Sequence, residues 1–400
     1  MRRVPLFVWF VVPAFSLVWI SLGSMITPGA KTQDFLNIYT GASLALDGKF
    51  ATMHDVDVQL ERERKFVPST DVLRPFVRPS FYALLLAPLA LIPFATAFWV
   101  WIAVQSALLI GCWAWGFRRF GANALVFAAF SLPGPLGIAS GQDCVILLAL
   151  FILAFELTDR GKPAGGGAVL ALMLIKFHLI LLWPVALVLQ KRWKMLAGFC
   201  AMASGEACVS LALGGTAGVR TYIALLRNRN LDRLSPSKEL MICFQGLTEN
   251  LGIQSPVAIG AIIGTILLIF VFAVYKAALW RMFAVTAVAS ILVAPHVYGY
   301  DATLLLLPFL LTIFNSQLAG AKIWATLLCT PLPFGFALAG KPYAIVASAS
   351  LVVFLVLLAI DRADSPSSPR SAHGSSPSGS LRPRLHECGR KRRTPAAASR

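Results

Sequence analysis

The chain has 400 residues, 58% hydrophobic and only 13% charged, and its 35 basic and 18 acidic residues give a net charge of +17. A mean hydropathy of +0.74 with so few charges excludes a water-soluble enzyme and, outside the C-terminal tail, intrinsic disorder. A membrane chain of this length holds about a dozen helices of ~20 residues, and the excess charge then marks nucleic acid, an anionic lipid surface or an uneven distribution across the bilayer.

Met1-Arg2-Arg3 precedes an apolar run to about Ile26. That run is too long for the core of a signal peptide and long enough to span, so a retained first helix with a cytoplasmic N-terminus is expected. A first outer loop over 27–78 follows. Near its start, Gln33-Asp34-Phe35-Leu36-Asn37-Ile38-Tyr39 opens an amphipathic stretch to Leu46, with Gly48 as the helix stop. Asp34 reads in two ways. An acid in the first turn of an interfacial helix is favoured by the macrodipole. A partly desolvated carboxylate at the bilayer edge can also act as a general base. Asp55-Val56-Asp57 has the spelling of a metal–nucleotide site but reads as solvated acids beside the Glu61-Arg62-Glu63-Arg64 charge run.

The segment 79–92 is short and bounded by Pro79 and Pro93, which predicts an interfacial or re-entrant element. Apolar runs then lie at 95–117, 122–138, 143–158, 164–177, 178–190, 195–214, 256–275, 282–297, 302–314, 322–339 and 342–360. With the first helix they make about 12 crossings and put both termini on one side. Residues 1–360 form the transmembrane domain, with a second outer loop over 215–255. Residues 361–400, rich in Ser, Pro and Arg, read as a disordered basic cytoplasmic tail. The stretch 164–190 is expected to be a hairpin of two short arms meeting at Lys176-Phe177-His178, with that cationic turn below the outer surface and in need of an anionic partner.

Loop charges support this order. Arg2-Arg3, Arg118-Arg119, Arg160, Lys162, Lys191-Arg192, Lys194, Lys276, Arg281 and Lys322 fall inside against Glu156 and Asp159, while 27–78 carries as many acids as bases. The charge of +17 is thus a topological signal plus a tail, and no nucleic-acid partner is expected. The seven cysteines are odd in number and mostly within apolar runs, which argues against a disulfide framework.

Ionisable residues in or at the ends of membrane helices are expensive and usually functional. Here they are Asp34, Arg78, Asp143 beside Gln142, Lys176, His178, Glu206, His296 and Asp301. All but Glu206 fall at outer helix ends or in outer loops, so residues from separate segments converge on one face. That face suits an anionic, partly lipidic ligand. The sequence carries no P-loop, GxSxG or HExxH motif, and its histidines are scattered, so neither a metal nor a cofactor is expected.

The motifs, in order, resemble glycosyltransferase family 87 of the GT-C superfamily. The resemblance rests on Asp34-Phe35-x-x-Ile38-Tyr39 with Ala42-x-x-Leu46-x-Gly48, then Phe81-Tyr82-Ala83-Leu84-Leu85-Leu86-Ala87-Pro88. Gly141-Gln142, Ile175-Lys176-Phe177-His178 with Lys191-Arg192-Trp193, and Pro295-His296-x-Tyr298-x-Tyr300-Asp301 complete it. It covers residues 30–315.

The resemblance implies an all-α polytopic fold with interfacial helices in the first outer loop. It implies an inverting, metal-independent transferase that moves a hexose, typically mannose, from a polyprenyl-phosphate donor to a lipid or glycan acceptor. On this reading Asp34 is the catalytic base. Lys176, His178, His296 and Arg78 bind the donor phosphate, and Gln142, Tyr300 and Asp301 contact sugar or acceptor. The enzyme would sit in the plasma (inner) membrane among lipid partners, with its site facing the periplasm or cell exterior. The alternatives are a 12-helix secondary transporter, which calls for midplane charges and related halves, and a non-catalytic lipid-binding protein in which Asp34 only caps a helix.

Overall fold

The computed structural model describes residues 30–70, 73–228 and 238–361. The expected first span over 4–26, residues 229–237 of the second outer loop and the basic tail from 362 lie outside the described residues. Among the described residues every regular element is a helix.

The first outer loop builds three helices: α1 (Ala30–Leu46), α2 (Val56–Phe66) and α3 (Ser80–Leu86), the last continuing as a 3-10 turn over Ala87–Leu91. α1 stops where predicted, with Gly48 at φ +67°. Its setting differs from the expectation, because Phe35 to Ala45 are buried on all faces, not on one. α3, its 3-10 extension and α4 (Phe94–Phe120) cover it. Phe35 lies among Tyr39, Phe94, Phe98 and Trp101 at centroid distances of 5.5–6.3 Å. This aromatic cluster buries enough area to draw the small polar residues Thr40 and Ser43 inside with it. Asp55 caps α2, its Oδ1 accepting the amides of Asp57 and Val58 at 2.9 and 3.3 Å.

Among the described residues three helices are long and apolar enough to cross a membrane: α4, α10 (Trp193–Arg227) and, after the short α11 (Phe244–Asn250), α12 (Pro256–Val274). Two bent pairs qualify together. They are α5 (Ala122–Phe130) with α6 (Pro133–Ala139) at 51°, and α15 (Ala319–Leu328) with α16 (Pro331–Leu338) at 49°. A proline opens the second helix of each pair, where it cannot donate to the helix before it. Shorter apolar helices include α13 (Leu279–Val293), α14 (Leu306–Asn315) and α17 (Ile345–Ile360). The described part of the chain is all-helical, and its long apolar helices are those of a membrane protein.

α7 (Cys144–Asp159) leads into the segment 164–190. There α8 (Pro163–Ala171) runs on as a 3-10 stretch over Leu172–Leu179, which breaks at Lys176 (φ −127°, ψ 67°), and α9 (Trp183–Leu189) follows. A Cβ on Gly167 would overlap the Met195 carbonyl, and one on Gly198 the Ala164 carbonyl, so the starts of α8 and α10 touch backbone to backbone. The segment therefore leaves from and returns to the same end of α10. Lys176 lies at the tip of a hairpin. α10 itself outruns the apolar stretch that ends at 214 and continues past a break at Gly215 to Arg227. Its last turns lie on the first outer loop, with Thr221 Oγ1 donating to the Ala51 carbonyl and the Tyr222 hydroxyl to that of Val77, both at 3.2 Å.

Candidate active site

The site forms where the α6–α7 turn, the hairpin tip and the 3-10 helix Gly299–Leu305 meet the first outer loop. Asp143 occupies the N-cap of α7 but makes no capping bond, because its carboxylate is already engaged. Arg78 Nε donates to Asp143 Oδ2 at 2.6 Å and Nη2 donates to Oδ1 at 3.1 Å. Lys176 Nζ lies 3.2 Å from the same Oδ1. Lys176 also donates to Asp301 Oδ1 at 2.8 Å, and Asp301 Oδ2 accepts the Tyr298 amide at 3.1 Å, closing the first turn of the 3-10 helix. The Cys144 thiol reaches Asp301 Oδ1 at 3.5 Å, and Lys176 sits 5.5 Å from the Tyr300 ring centroid.

Two cations and two carboxylates therefore balance inside the protein. Asp143 is 0% exposed, and the Arg78 and Lys176 side chains are 5% and 8% exposed. Such a network is held by mutual compensation, and removing one member leaves its partners buried and unmatched.

Gln142 ties this network to Asp34. Its Oε1 accepts from Lys176 at 3.0 Å and Arg78 at 3.2 Å, and its side chain comes close enough to Asp34 to favour that carboxylate. The amide is thereby oriented, oxygen to the cations and nitrogen to the carboxylate. Gly141 makes this approach possible. It has φ +74°, and a Cβ there would meet the Phe35 Cβ at 2.7 Å. The Trp101 indole pins the turn by donating to the Gly141 carbonyl at 2.9 Å, and Gln105 donates to that of Gln142 at 3.1 Å.

Asp34 keeps partial exposure at the rim of the site. Burial raises its carboxyl above the usual range, and the Gln142 amide and the charges of Arg74, Lys176 and Arg78 only partly oppose this. His178 lies within electrostatic reach of Asp301, Lys176, His296 and Arg78. The His296 ring stands edge-on to Tyr298 at 5.0 Å.

All of the residues singled out on the outer face are thus neighbours. Glu206 is apart from them, buried in α10 with neither carboxylate oxygen partnered among the described residues. Two residues of the site were not singled out from the sequence. Asn37, one turn beyond Asp34, accepts from Arg78 Nη1 at 3.1 Å. Its i+3 spacing puts it on the same helix face and would have found it. Arg74 acts on both Asp34 and Tyr298. Its backbone is anchored by its amide donating to Glu63 Oε2 at 3.2 Å. It sits in irregular chain, where no periodicity points to it. Among the described residues, no three His, Cys, Asp or Glu side chains gather in a way that could hold a metal ion.

No curated protein and no solved structure matches the chain. A protein-family model does, over residues 76–331, well over half the length. The matched stretch contains Arg78, Gln142, Asp143, Lys176, His178, His296, Tyr300 and Asp301 and begins after Asp34. The chain belongs to glycosyltransferase family 87.

Proposed function

We propose that this glycosyltransferase moves a hexose, mannose by resemblance, from a polyprenyl-phosphate donor to a hydroxyl of a lipid or glycan acceptor, with inversion at the anomeric carbon. The reading places about 12 crossings in the plasma membrane, both termini in the cytoplasm and the site on the opposite face. The observation that carries it is Asp34. This carboxylate is raised by burial, oriented by Gln142 and set at the rim of a charge-balanced polar network.

Asp34 takes the proton of the acceptor hydroxyl as its oxygen attacks the anomeric carbon. The bond from that carbon to the phosphate oxygen breaks, and polyprenyl phosphate leaves as a monoester. Negative charge therefore grows on the phosphate and needs positive charge aimed at it. Arg78 and Lys176 are already matched by Asp143 and Asp301, so their part is to fix the site and add field at short range. Arg74, His178 and His296, around the same rim, are the direct phosphate contacts in this scheme. Tyr300 and Gln142 face the sugar. Membership of a transferase family weighs against the transporter and lipid-binding alternatives.

Asp34→Asn tests the proposal, since the amide keeps the shape of the carboxylate but cannot accept a proton. With labelled polyprenyl-phosphate hexose in membranes, transfer should fall by about 10²–10⁴-fold at unchanged expression. In the wild type, turnover should rise with pH through a carboxyl lying above the usual range, because only the deprotonated form works. Near-normal transfer by the variant would overturn the assignment of Asp34.

A further inference from the structure

The stretch 74–78, between α2 and α3, is neither helix nor strand. Side chains, not a neighbouring backbone, hold its polar groups. The Arg74 amide donates to Glu63 Oε2 at 3.2 Å. The Phe76 amide donates to Gln59 Oε1 at 2.8 Å, and Gln59 Nε2 donates to the carbonyls of Phe76 and Met53 at 3.3 and 2.8 Å. The Val77 carbonyl accepts from the Tyr222 hydroxyl at 3.2 Å. The Arg78 carbonyl lies 2.9 Å from His54 Nε2, which must carry the ring proton because a carbonyl only accepts.

Gln59 and Glu63 stand four residues apart on α2, so they share one face. Both are 0% exposed. Packing alone gives no reason for an amide and a carboxyl at two such positions, since burying polar groups is costly. What they match is the backbone of 74–78. The side chains of that stretch reach to α1. Phe76 is buried against Gly41, where a Cβ would meet its ring at 2.6 Å. Arg78 Nη1 donates to Asn37 Oδ1 at 3.1 Å. Asp34, Asn37 and Gly41 are spaced i, i+3 and i+7 along α1 and line one face of it. Both Arg74 and Arg78 act on Asp34 through their charge.

We propose that Gln59 and Glu63 are positioning residues for the transfer, fixing the 74–78 backbone so that Arg74 stands at the donor phosphate and Arg78 in the network beside Asp34. Neither touches substrate. A side chain starts from its backbone, so a shift of the stretch carries both guanidinium groups with it, and a misplacement of ~1 Å can cost ~10²-fold in rate. The phosphate at Arg74 rests on the polyprenyl-phosphate reading, whereas the hold on the stretch does not.

The test is binding of two probes, polyprenyl phosphate and polyprenol of the same chain length, to the full chain in nanodiscs. The ratio of the two affinities reads the phosphate contact alone, because a general loss of structure weakens both probes together. Gln59→Met and Glu63→Met keep the length of the side chain and remove its hydrogen bonds to the stretch. Each should lower the phosphate preference about tenfold, the worth of one charge-assisted contact. Glu63→Gln retains an oxygen for the Arg74 amide and should keep the wild-type ratio. Tyr222→Phe removes one hydroxyl at a half-buried position without disturbing the fold, and should lower the ratio about twofold. An unchanged ratio in the folded variants, Tyr222→Phe among them, would overturn the proposal, as would a Glu63→Gln loss equal to that of Glu63→Met. A wild type with no preference for the phosphate would sink the donor reading and this proposal together, whereas a wild-type preference that every variant keeps would sink this proposal alone.

Discussion

The two ends of α7 carry ion pairs of nearly the same length in opposite surroundings. At its N-terminal end Asp143 meets Arg78 at 2.6 Å with both side chains buried. About 24 Å away at 1.5 Å per residue, Asp159 meets Arg119 at 2.6 Å and Glu156 meets Arg160 at 2.7 Å, with both arginines exposed. The helix dipole favours a carboxylate at the first end and opposes one at the second, where the arginines offset it. Distance, then, does not measure what a pair contributes. At the exposed end water screens the charges and would solvate them if they parted. At the buried end nothing replaces a lost partner.

Two acids and an arginine grade this contrast. Asp143→Ala should have the largest effect, about 3–5 kcal/mol of stability, because Arg78 and Lys176 are left buried and unmatched. Thermal unfolding and size-exclusion of the solubilised protein would show it, and a variant as stable as the wild type would mean that the buried pair is not held by mutual compensation.

Glu63 stands between the extremes. It is buried, accepts the Arg74 amide with one oxygen and leaves the other without a partner among the described residues. Burial pushes its carboxyl up to about 7. The folded protein thus holds this proton more tightly than the unfolded chain, so its contribution is fully present below the ordinary carboxyl range. That contribution is lost as pH rises towards and through 7. Between pH 5 and 8 the unfolding temperature should fall, by an amount equivalent to roughly 1–3 kcal/mol. Glu63→Gln should flatten the profile, and an unchanged slope in that variant would remove Glu63 as its origin.

Arg119→Ala should do least, under about 1 kcal/mol and less in high salt. A loss as large as that of Asp143→Ala would mean the exposed end is not screened.

Much of this was legible in the sequence. Gly48 marks the end of α1, the proline-bounded 79–92 segment is the short α3 and its 3-10 extension, and Lys176 lies at the tip of a hairpin. These features depend on local chemistry: glycine and proline geometry, and the cost of a cation inside an apolar run. The convergence of Asp34, Arg78, Lys176 and Asp301 was legible for the same reason, since charges in a membrane chain collect where they can be matched.

What stayed hidden depends on tertiary choice. Lys176 was expected to face a phosphate and Asp301 a sugar, yet they pair with each other at 2.8 Å. Hydropathy shows that a buried cation needs an anion but not which one. The burial of α1 on all faces follows from the Phe35 aromatic cluster, whose members come from α1 and α4. The extension of α10 to Arg227 escapes a search for apolar runs because it lies on protein and not in lipid.

Arg78 uses its guanidinium on Asn37, Gln142 and both oxygens of Asp143, and its carbonyl on His54. A planar fork can satisfy that many directions at once, whereas a lysine ammonium is a single point. The dipoles around Asp34 are therefore set before any substrate arrives. In the proposed scheme charge moves from the acceptor oxygen towards the phosphate, so little of the surroundings would have to turn to follow it, and a low reorganisation energy would be built into the resting protein.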